Sequence, residues 1–134
     1  VRESEERYRI AVEHSNDGVA ILRGECYVYV NRRLAEMFGY KSVDDVVGKN
    51  ISVTVHPDDR KRVLAINHKR QRGEKVADRY EFKGMHSDGS VIFIEVSATP
   101  VVYMGEASSL VYLRDITARK EMEDKLRMIS RIFP

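Results

Sequence analysis

Apolar and polar residues follow two different periods along this chain, and the change between them separates helices from strands. Residues 3–14 are highly charged and carry their apolar positions at helical spacing, which predicts a helix. Residues 19–23 and 26–30 are rich in β-branched and aromatic residues, which is typical of strands. The short Gly24-Glu25 link between them predicts a hairpin.

The middle of the chain predicts helices, bounded by recognisable start and stop residues. Asn31 suits the N-cap position, because its side-chain oxygen can accept from unpaired backbone N–H groups of the first turn. The helix that follows is expected to end at Gly39. The longest helix is expected from Pro57 to Gly73, since proline is favoured at the first helical position.

The second half of the chain predicts three long strands, at residues 76–86, 91–103 and 107–114. The Asp88-Gly89 pair is a strong hairpin signal, so we expect consecutive strands to pair antiparallel. Short strands, then a group of helices, then long strands indicate an α+β fold, with the helices on one face of one sheet.

The C-terminal segment predicts a helix that needs a partner. Its apolar residues are spaced by 4, 3 and 4, which is the rhythm of a coiled-coil seam: Met122, Leu126, Ile129 and Phe133. A free helix of this length is only marginally stable in water. The partner is either the same helix of a second copy or the chain's own sheet, and the sequence leaves both open.

Composition limits the possible functions. With 134 residues and a net charge of +2 spread along the chain, we expect one domain and no nucleic-acid partner. No apolar run reaches the roughly 20 residues needed to cross a bilayer, so we expect no direct membrane contact. The charged N-terminus is unlike a signal peptide, and Cys26 is the single cysteine, which together favour a reducing, cytoplasmic location.

Five motifs, in order, resemble those of the PAS sensor domain. They are EERYRIAVEHSNDGVAIL (5–22), YVNRRLAEMFGY (29–40), VVGKNISVTVHPDDR (46–60), SDGSVIFIEVSATPV (87–101) and LVYLRDITARKEMEDKLR (110–127). The resemblance implies a five-stranded antiparallel sheet of order 2-1-5-4-3, helices clasping one face, and a cavity between the two layers. It also implies a non-catalytic module of signalling proteins such as histidine kinases or diguanylate cyclases.

This resemblance implies a division of the chain into an N-terminal flanking helix (1–14), a PAS domain (15–117) and a linker helix (118–134). It implies a downstream output domain in the same polypeptide, and the coiled-coil spacing of the C-terminal helix favours a homodimer. A ligand-free dimerisation spacer is the alternative. A small α+β enzyme is less favoured, because the predicted interior has no titratable groups beyond tyrosines.

Three residues at the end of the last predicted strand are candidates for relaying a signal into the linker helix. Thr117 is expected to cap that helix through its hydroxyl, and Asp115 is expected to pair with Arg119. The resemblance implies that this junction couples the sheet to the linker. A plain cap without a signalling role is the alternative.

A PAS-type interior would be lined by apolar and aromatic side chains from several elements. The candidates are Val28, Val30, Leu34, Met37, Phe38, Ile51, Val55, Val63, Ile66, Tyr80, Phe82, Ile94, Val96 and Tyr112. These side chains either surround a small organic ligand or pack on one another and fill the core.

Specific cofactors and catalysis are disfavoured. His68 is the candidate haem ligand, but its neighbours are polar, whereas haem needs an apolar pocket. Light-sensing relatives carry a reactive cysteine where this chain has Ile51, so we expect no covalent flavin. No histidine pair has metal-ligand spacing, and residues 87–90 form a turn, so we expect no metal site and no catalytic residue.

Overall fold

The computed structural model describes residues 2–133, with the side chains of residues 2–6 and Tyr8 not described. The main elements are α1 (Arg2–Glu13), β1 (Gly18–Arg23), β2 (Cys26–Val30), α2 (Arg32–Met37), α3 (Pro57–Gln71), β3 (Arg79–Met85), β4 (Val91–Tyr103), β5 (Glu106–Asp115) and α4 (Thr117–Ile132). Two short 3₁₀ helices, Val43–Asp45 and Ile51–Val53, lie between α2 and α3. The predicted elements are all present, although β3 begins three residues later than predicted.

The strands form one antiparallel sheet of order β2-β1-β5-β4-β3, which confirms the predicted order. The first and last strands of the chain therefore lie side by side in the centre, with Val19 opposite Tyr112. Along β4 the side chains of Ile92, Ile94 and Val96 alternate into the core, as the period of two predicts.

Asn31 joins four segments at the start of α2. Its Oδ1 accepts hydrogen bonds from the backbone N–H groups of Val19 at 2.9 Å and Leu34 at 3.0 Å. Its Nδ2 donates to the carbonyl oxygens of Val12 at 2.8 Å and Asp17 at 3.1 Å. The predicted N-cap is confirmed, and the same fully buried side chain also holds α1 against the start of β1.

The turn between β3 and β4 packs on the end of α2. Ser87 donates from its backbone N–H to the Phe38 carbonyl at 2.8 Å and from its hydroxyl to the Gly39 carbonyl at 2.8 Å. Gly39 has φ +81°, and a Cβ there would lie 2.2 Å from the His86 ring. Only glycine fits this close approach in a left-handed conformation.

The sheet has one covered face and one partly covered face. The inner face packs on α2, α3 and the 3₁₀ helices and forms the core. On the outer face, α1 reaches β2 through a 2.6 Å hydrogen bond from the Tyr29 hydroxyl to Glu13. Tyr112 on β5 remains 42% exposed on this outer side.

Candidate functional site

An interior cavity of about 20 Å³ lies between the inner sheet face and α3. It is lined by Leu22, Tyr27, Ile51, Val55, Val63, Asn67, Tyr80, Phe82, Val96, Val111 and Leu113. This volume is close to that of one water molecule. The core is therefore nearly filled in this conformation.

Much of the predicted lining is buried as expected. Six of the predicted residues line the cavity: Ile51, Val55, Val63, Tyr80, Phe82 and Val96. Five more are buried in the surrounding core without lining it: Val30, Leu34, Met37, Phe38 and Ile94.

Three of the predicted lining residues, Val28, Ile66 and Tyr112, do not line the cavity. Tyr112 points to the outer face, because Val111 and Leu113 on either side take the inner positions of β5. The pairing of β1 with β2 shifts so that Tyr27 pairs with Leu22 and Tyr29 with Ile21.

Val28 therefore has no pairing partner on β1 and is half-buried. Tyr27, and not Val28, lines the cavity. On α3, Ile66 is half-buried, and the next residue, Asn67, faces inward at a spacing of four from Val63.

The interior contains polar groups that the sequence prediction missed. The Tyr27 hydroxyl lies 2.6 Å from Thr54 Oγ1, which itself donates to the Ile51 carbonyl at 3.0 Å. Burial raises the pKa of Tyr27 above its usual range. Burial also raises the pKa of Tyr80, although the nearby guanidinium of Arg70 opposes this shift. The sequence did hold a signal for Asn67: it lies four residues after Val63, so both residues share one face of α3.

His68 lies outside this cavity and stabilises the β1–β2 turn. Its Nε2 is 2.9 Å from Glu25 Oε2, and Asn50 Nδ2 donates to the other carboxylate oxygen at 3.1 Å. The hydrogen bond from His68 is the main cause of a lowered pKa of Glu25. Within residues 2–133, no group of three His, Cys, Asp or Glu side chains is arranged to hold a metal ion.

The junction between β5 and α4 is held by Thr117 in an unexpected way. Its hydroxyl accepts a hydrogen bond from the Phe93 N–H at 3.0 Å and donates to Asp115 Oδ1 at 2.5 Å. The Ile116 N–H also donates to the Phe93 carbonyl at 2.8 Å. The hydroxyl therefore bonds to β4, and the prediction that it caps α4 is wrong: the N-cap residue is Ile116, and it is Asp115 Oδ1 that accepts from the Thr117 N–H at 3.0 Å.

The predicted pair of Asp115 with Arg119 is also wrong. Arg119 instead lies 3.0 Å from Glu81 on β3 and 3.7 Å from Glu123. Glu81 also pairs with Lys120 at 2.7 Å, and this hydrogen bond is the main cause of its lowered pKa. Each exposed pair is worth only ~0–1 kcal/mol, and the two pairs made by Glu81 join β3 to the first turn of α4.

Beyond Lys120, α4 leaves the sheet with every described side chain exposed. The four predicted seam residues, Met122, Leu126, Ile129 and Phe133, are 52–74% exposed. Of the two arrangements left open by the sequence, the helix does not fold back on its own sheet in this structure. In the part of the chain described, no helix is long and apolar enough to cross a membrane.

The strand order, the helical layer over one face and the projecting helix together define a sensory domain of the PAS type. A family profile described as the PAS fold matches residues 6–116. This chain therefore belongs to the PAS family, as the sequence motifs predicted.

Several known proteins are similar to this chain. Sporulation kinase A from Bacillus subtilis is 29% identical over 128 residues, which span 92% of this chain but only a fifth of the kinase's length. The PAS domain of an HTR-like protein from Haloarcula marismortui is 26% identical, with a TM-score of 0.65 over 86% of this chain and 93% of that one. A sensory box histidine kinase/response regulator from Burkholderia thailandensis is also 26% identical, with a TM-score of 0.66 over 93% of this chain and 95% of that one.

Proposed function

We propose that this domain is a cytoplasmic signal relay that acts through α4 on an output domain of the same polypeptide, most simply a histidine kinase. The observation that carries this proposal is the junction at Thr117, where one hydroxyl links β4 to the first turn of the projecting helix. The similarity to two histidine kinases supports the choice of output.

A continuous set of contacts supports transmission from α3 to α4. Asp59 on α3 accepts from the Lys83 N–H at 2.7 Å, and Arg62 donates to the Glu81 carbonyl at 2.8 Å. The Glu81 carboxylate then holds Lys120 on α4. A movement of α3 over the cavity would displace β3 and, through Glu81, the start of the exit helix.

We further propose that α4 pairs with the same helix of a second copy. Its apolar stripe is exposed on an otherwise charged helix, and an isolated helix of about 16 residues is only marginally stable. Burying an apolar side chain contributes ~1.5–3 kcal/mol, so four seam positions per helix can stabilise the pair.

The relay is tested by Thr117→Val in the full-length protein. Valine keeps the shape of the side chain but cannot accept from Phe93 or donate to Asp115, so we expect the output activity to lose its response to signal. Thr99→Val is the matched control, since Thr99 is exposed on β4 and none of its side-chain contacts in the described residues is a hydrogen bond. An unchanged response in Thr117→Val would contradict the relay.

The pairing is tested by measuring the mass of this chain in solution by light scattering. We expect a dimer that dissociates in Leu126→Lys, because a charge enters the middle of the seam. Lys125→Gln, on the neighbouring helical face, should remain dimeric. A wild-type monomer at all concentrations would rule out pairing through this segment alone.

A ligand-free dimerisation spacer is the second candidate, and the small volume of the interior cavity favours it. Native mass spectrometry and an absorption spectrum of the purified chain distinguish the candidates. A bound small molecule indicates a sensor, whereas an empty dimer with no visible absorption indicates a spacer. A haem band would contradict the expectation that this chain binds no haem.

A further inference from the structure

We propose that α3 opens as a lid over the interior cavity, by separating from the β1–β2 turn while it stays attached to β3. The contacts of His68 and Gln71 with Gly24 and Glu25 form the latch that holds this lid closed. The inference rests on the proposed function, in which a movement of α3 carries the signal, and it names the flank of the helix that moves.

Few apolar side chains hold α3 in place. Its fifteen residues bury one apolar side chain, Val63, and two polar ones, Asn67 and Arg70, while Leu64 and Ile66 are half-buried. The six residues of α2, by comparison, bury three apolar side chains. Segments with few buried apolar contacts open at a lower free energy than the rest of a domain. The position of α3 therefore depends largely on hydrogen bonds made by its side chains.

One flank of α3 is attached at both ends of the helix to β3 and the residues just before it. Near the start of the helix, Asp59 accepts from a β3 N–H at 2.7 Å and Arg62 donates to a β3 carbonyl at 2.8 Å. In the last turn, Arg70 donates to the carbonyl of Ala77, just before β3 begins. Spacings of three and eight residues place all three side chains on one flank, which is the hinge of the lid.

The opposite flank of the last two turns of α3 is attached to the β1–β2 turn. The Gly24 N–H donates to Gln71 Oε1 at 2.7 Å, and Gln71 Nε2 donates back to the Gly24 carbonyl at 3.1 Å. His68 Nε2 lies 2.9 Å from Glu25 Oε2, and these two side chains are 41% and 43% exposed. Because the His68–Glu25 contact lies at the surface, water replaces it at little cost when the helix moves.

The β1–β2 turn is fixed independently of α3. The Ile51 N–H donates to the Glu25 carbonyl at 2.7 Å, and Asn50 Nδ2 donates to the Glu25 carboxylate at 3.1 Å. Breaking the latch therefore moves the helix rather than the turn. The cavity beneath α3 has a volume of about 20 Å³, close to that of one water molecule, so a larger molecule reaches the interior only after such a movement.

The test measures how often the interior becomes accessible to the thiol reagent dithiobis(nitrobenzoate), in a Cys26→Ser background that removes the single native thiol. Val63→Cys places a thiol beneath α3, at a position that is 4% exposed and lines the cavity. Val30→Cys places a thiol at a core position that is 2% exposed and lies outside the cavity lining, so it reports unfolding of the whole domain.

We expect the double variant His68→Ala/Gln71→Ala to raise the labelling rate of Val63→Cys by about tenfold, because both side chains of the latch are lost. The labelling rate of Val30→Cys should change by less than about twofold. Alanine is the best helix former, so faster labelling cannot result from a weakened helix. Lys69→Ala, an exposed position in the same turn, is the matched control and should stay within about twofold of wild type.

The urea dependence of labelling with the latch intact tests the proposal even if the latch variants do not fold. Opening of a lid exposes less surface than unfolding, so the labelling rate should rise less steeply with urea at Val63→Cys than at Val30→Cys. Equal urea slopes, an unchanged rate at Val63→Cys in the latch variant, or equal acceleration at both reporters would each overturn the proposal. These measurements require no output domain, so a negative result leaves the relay through Thr117 to be judged on its own test.

Discussion

Replacing Asn31 by alanine is expected to be the most destabilising change of a single polar residue in this domain. The alanine leaves the N–H groups of Val19 and Leu34 without an acceptor, and both lie in a fully buried region. Each unsatisfied buried group costs about 1–3 kcal/mol. The carbonyl groups of Val12 and Asp17 also lose their donor, but they are only partly buried and can bind water.

Summing the two buried groups, we expect Asn31→Ala to lower the free energy of unfolding by roughly 2–6 kcal/mol. For a domain of this size, each kcal/mol lowers the melting temperature by about 4 °C, so the expected loss is roughly 8–24 °C. Urea denaturation followed by circular dichroism measures the free energy directly, with the slope of the transition checking that unfolding remains two-state.

Asn50→Ala is the matched control for this substitution. Asn50 also caps a short helix, by accepting from Ser52 N–H at 2.9 Å, but it is only partly buried. Its loss should cost ~1 kcal/mol, the usual value for a cap. If Asn31→Ala and Asn50→Ala differ by less than 1 kcal/mol, the reasoning from unsatisfied buried groups is refuted.

Asn31→Asp separates the hydrogen bonds that the side chain accepts from those that it donates. Aspartate keeps the acceptor for Val19 and Leu34 but places an oxygen against the carbonyl groups of Val12 and Asp17. We expect a loss of at least 2 kcal/mol at pH 7, because one carboxylate oxygen then faces the two carbonyl oxygens with no hydrogen between them. A stability equal to wild type would show that the amide group's donated bonds contribute nothing.

Two other substitutions test the packing and the buried hydroxyl. Gly39→Ala should lower the free energy of unfolding, measured in urea, by ~3 kcal/mol, since the alanine adopts a left-handed conformation and its Cβ clashes with the His86 ring. Gly24→Ala is the control: Gly24 also has a positive φ (+60°) but open space around it, so the cost should be only ~1 kcal/mol. Tyr27→Phe should cost ~1 kcal/mol at pH 8 through the lost bond to Thr54. Because burial raises the pKa of Tyr27, its protonated form is favoured in the fold, so this stabilisation is present below pH ~10 and is lost above it. The difference between wild type and Tyr27→Phe should therefore shrink above pH ~10; a constant difference between pH 8 and 11 would contradict the assignment.

The sequence was sufficient to predict the local structure of this domain. Asn31 and Pro57 predicted where two helices begin, because capping depends on the nearest few backbone groups. The alternation along β4 predicted which side chains enter the core, since a regular strand turns successive residues to opposite faces. The spacing from Met122 to Phe133 predicted the apolar stripe of α4 for the same local reason, although it left open whether the helix projects from the sheet.

The functional contacts depended on residues that are distant in the chain, and there the predictions failed. Thr117 bonds to Phe93, and Arg119 to Glu81, because antiparallel pairing brings β4 and β3 beside the start of α4. A one-residue irregularity in β2 placed Tyr27 rather than its neighbour in the cavity, and strand propensity does not encode such a shift.

The sequence by itself thus determined the elements, the order in which they occur and the family, because these depend on local periodicity and short motifs. The tertiary structure alone decided how full the interior is and which polar groups remain unpaired inside it. Those properties arise where side chains from separate elements meet, and they change with shifts of a single residue in register or a single turn of a helix.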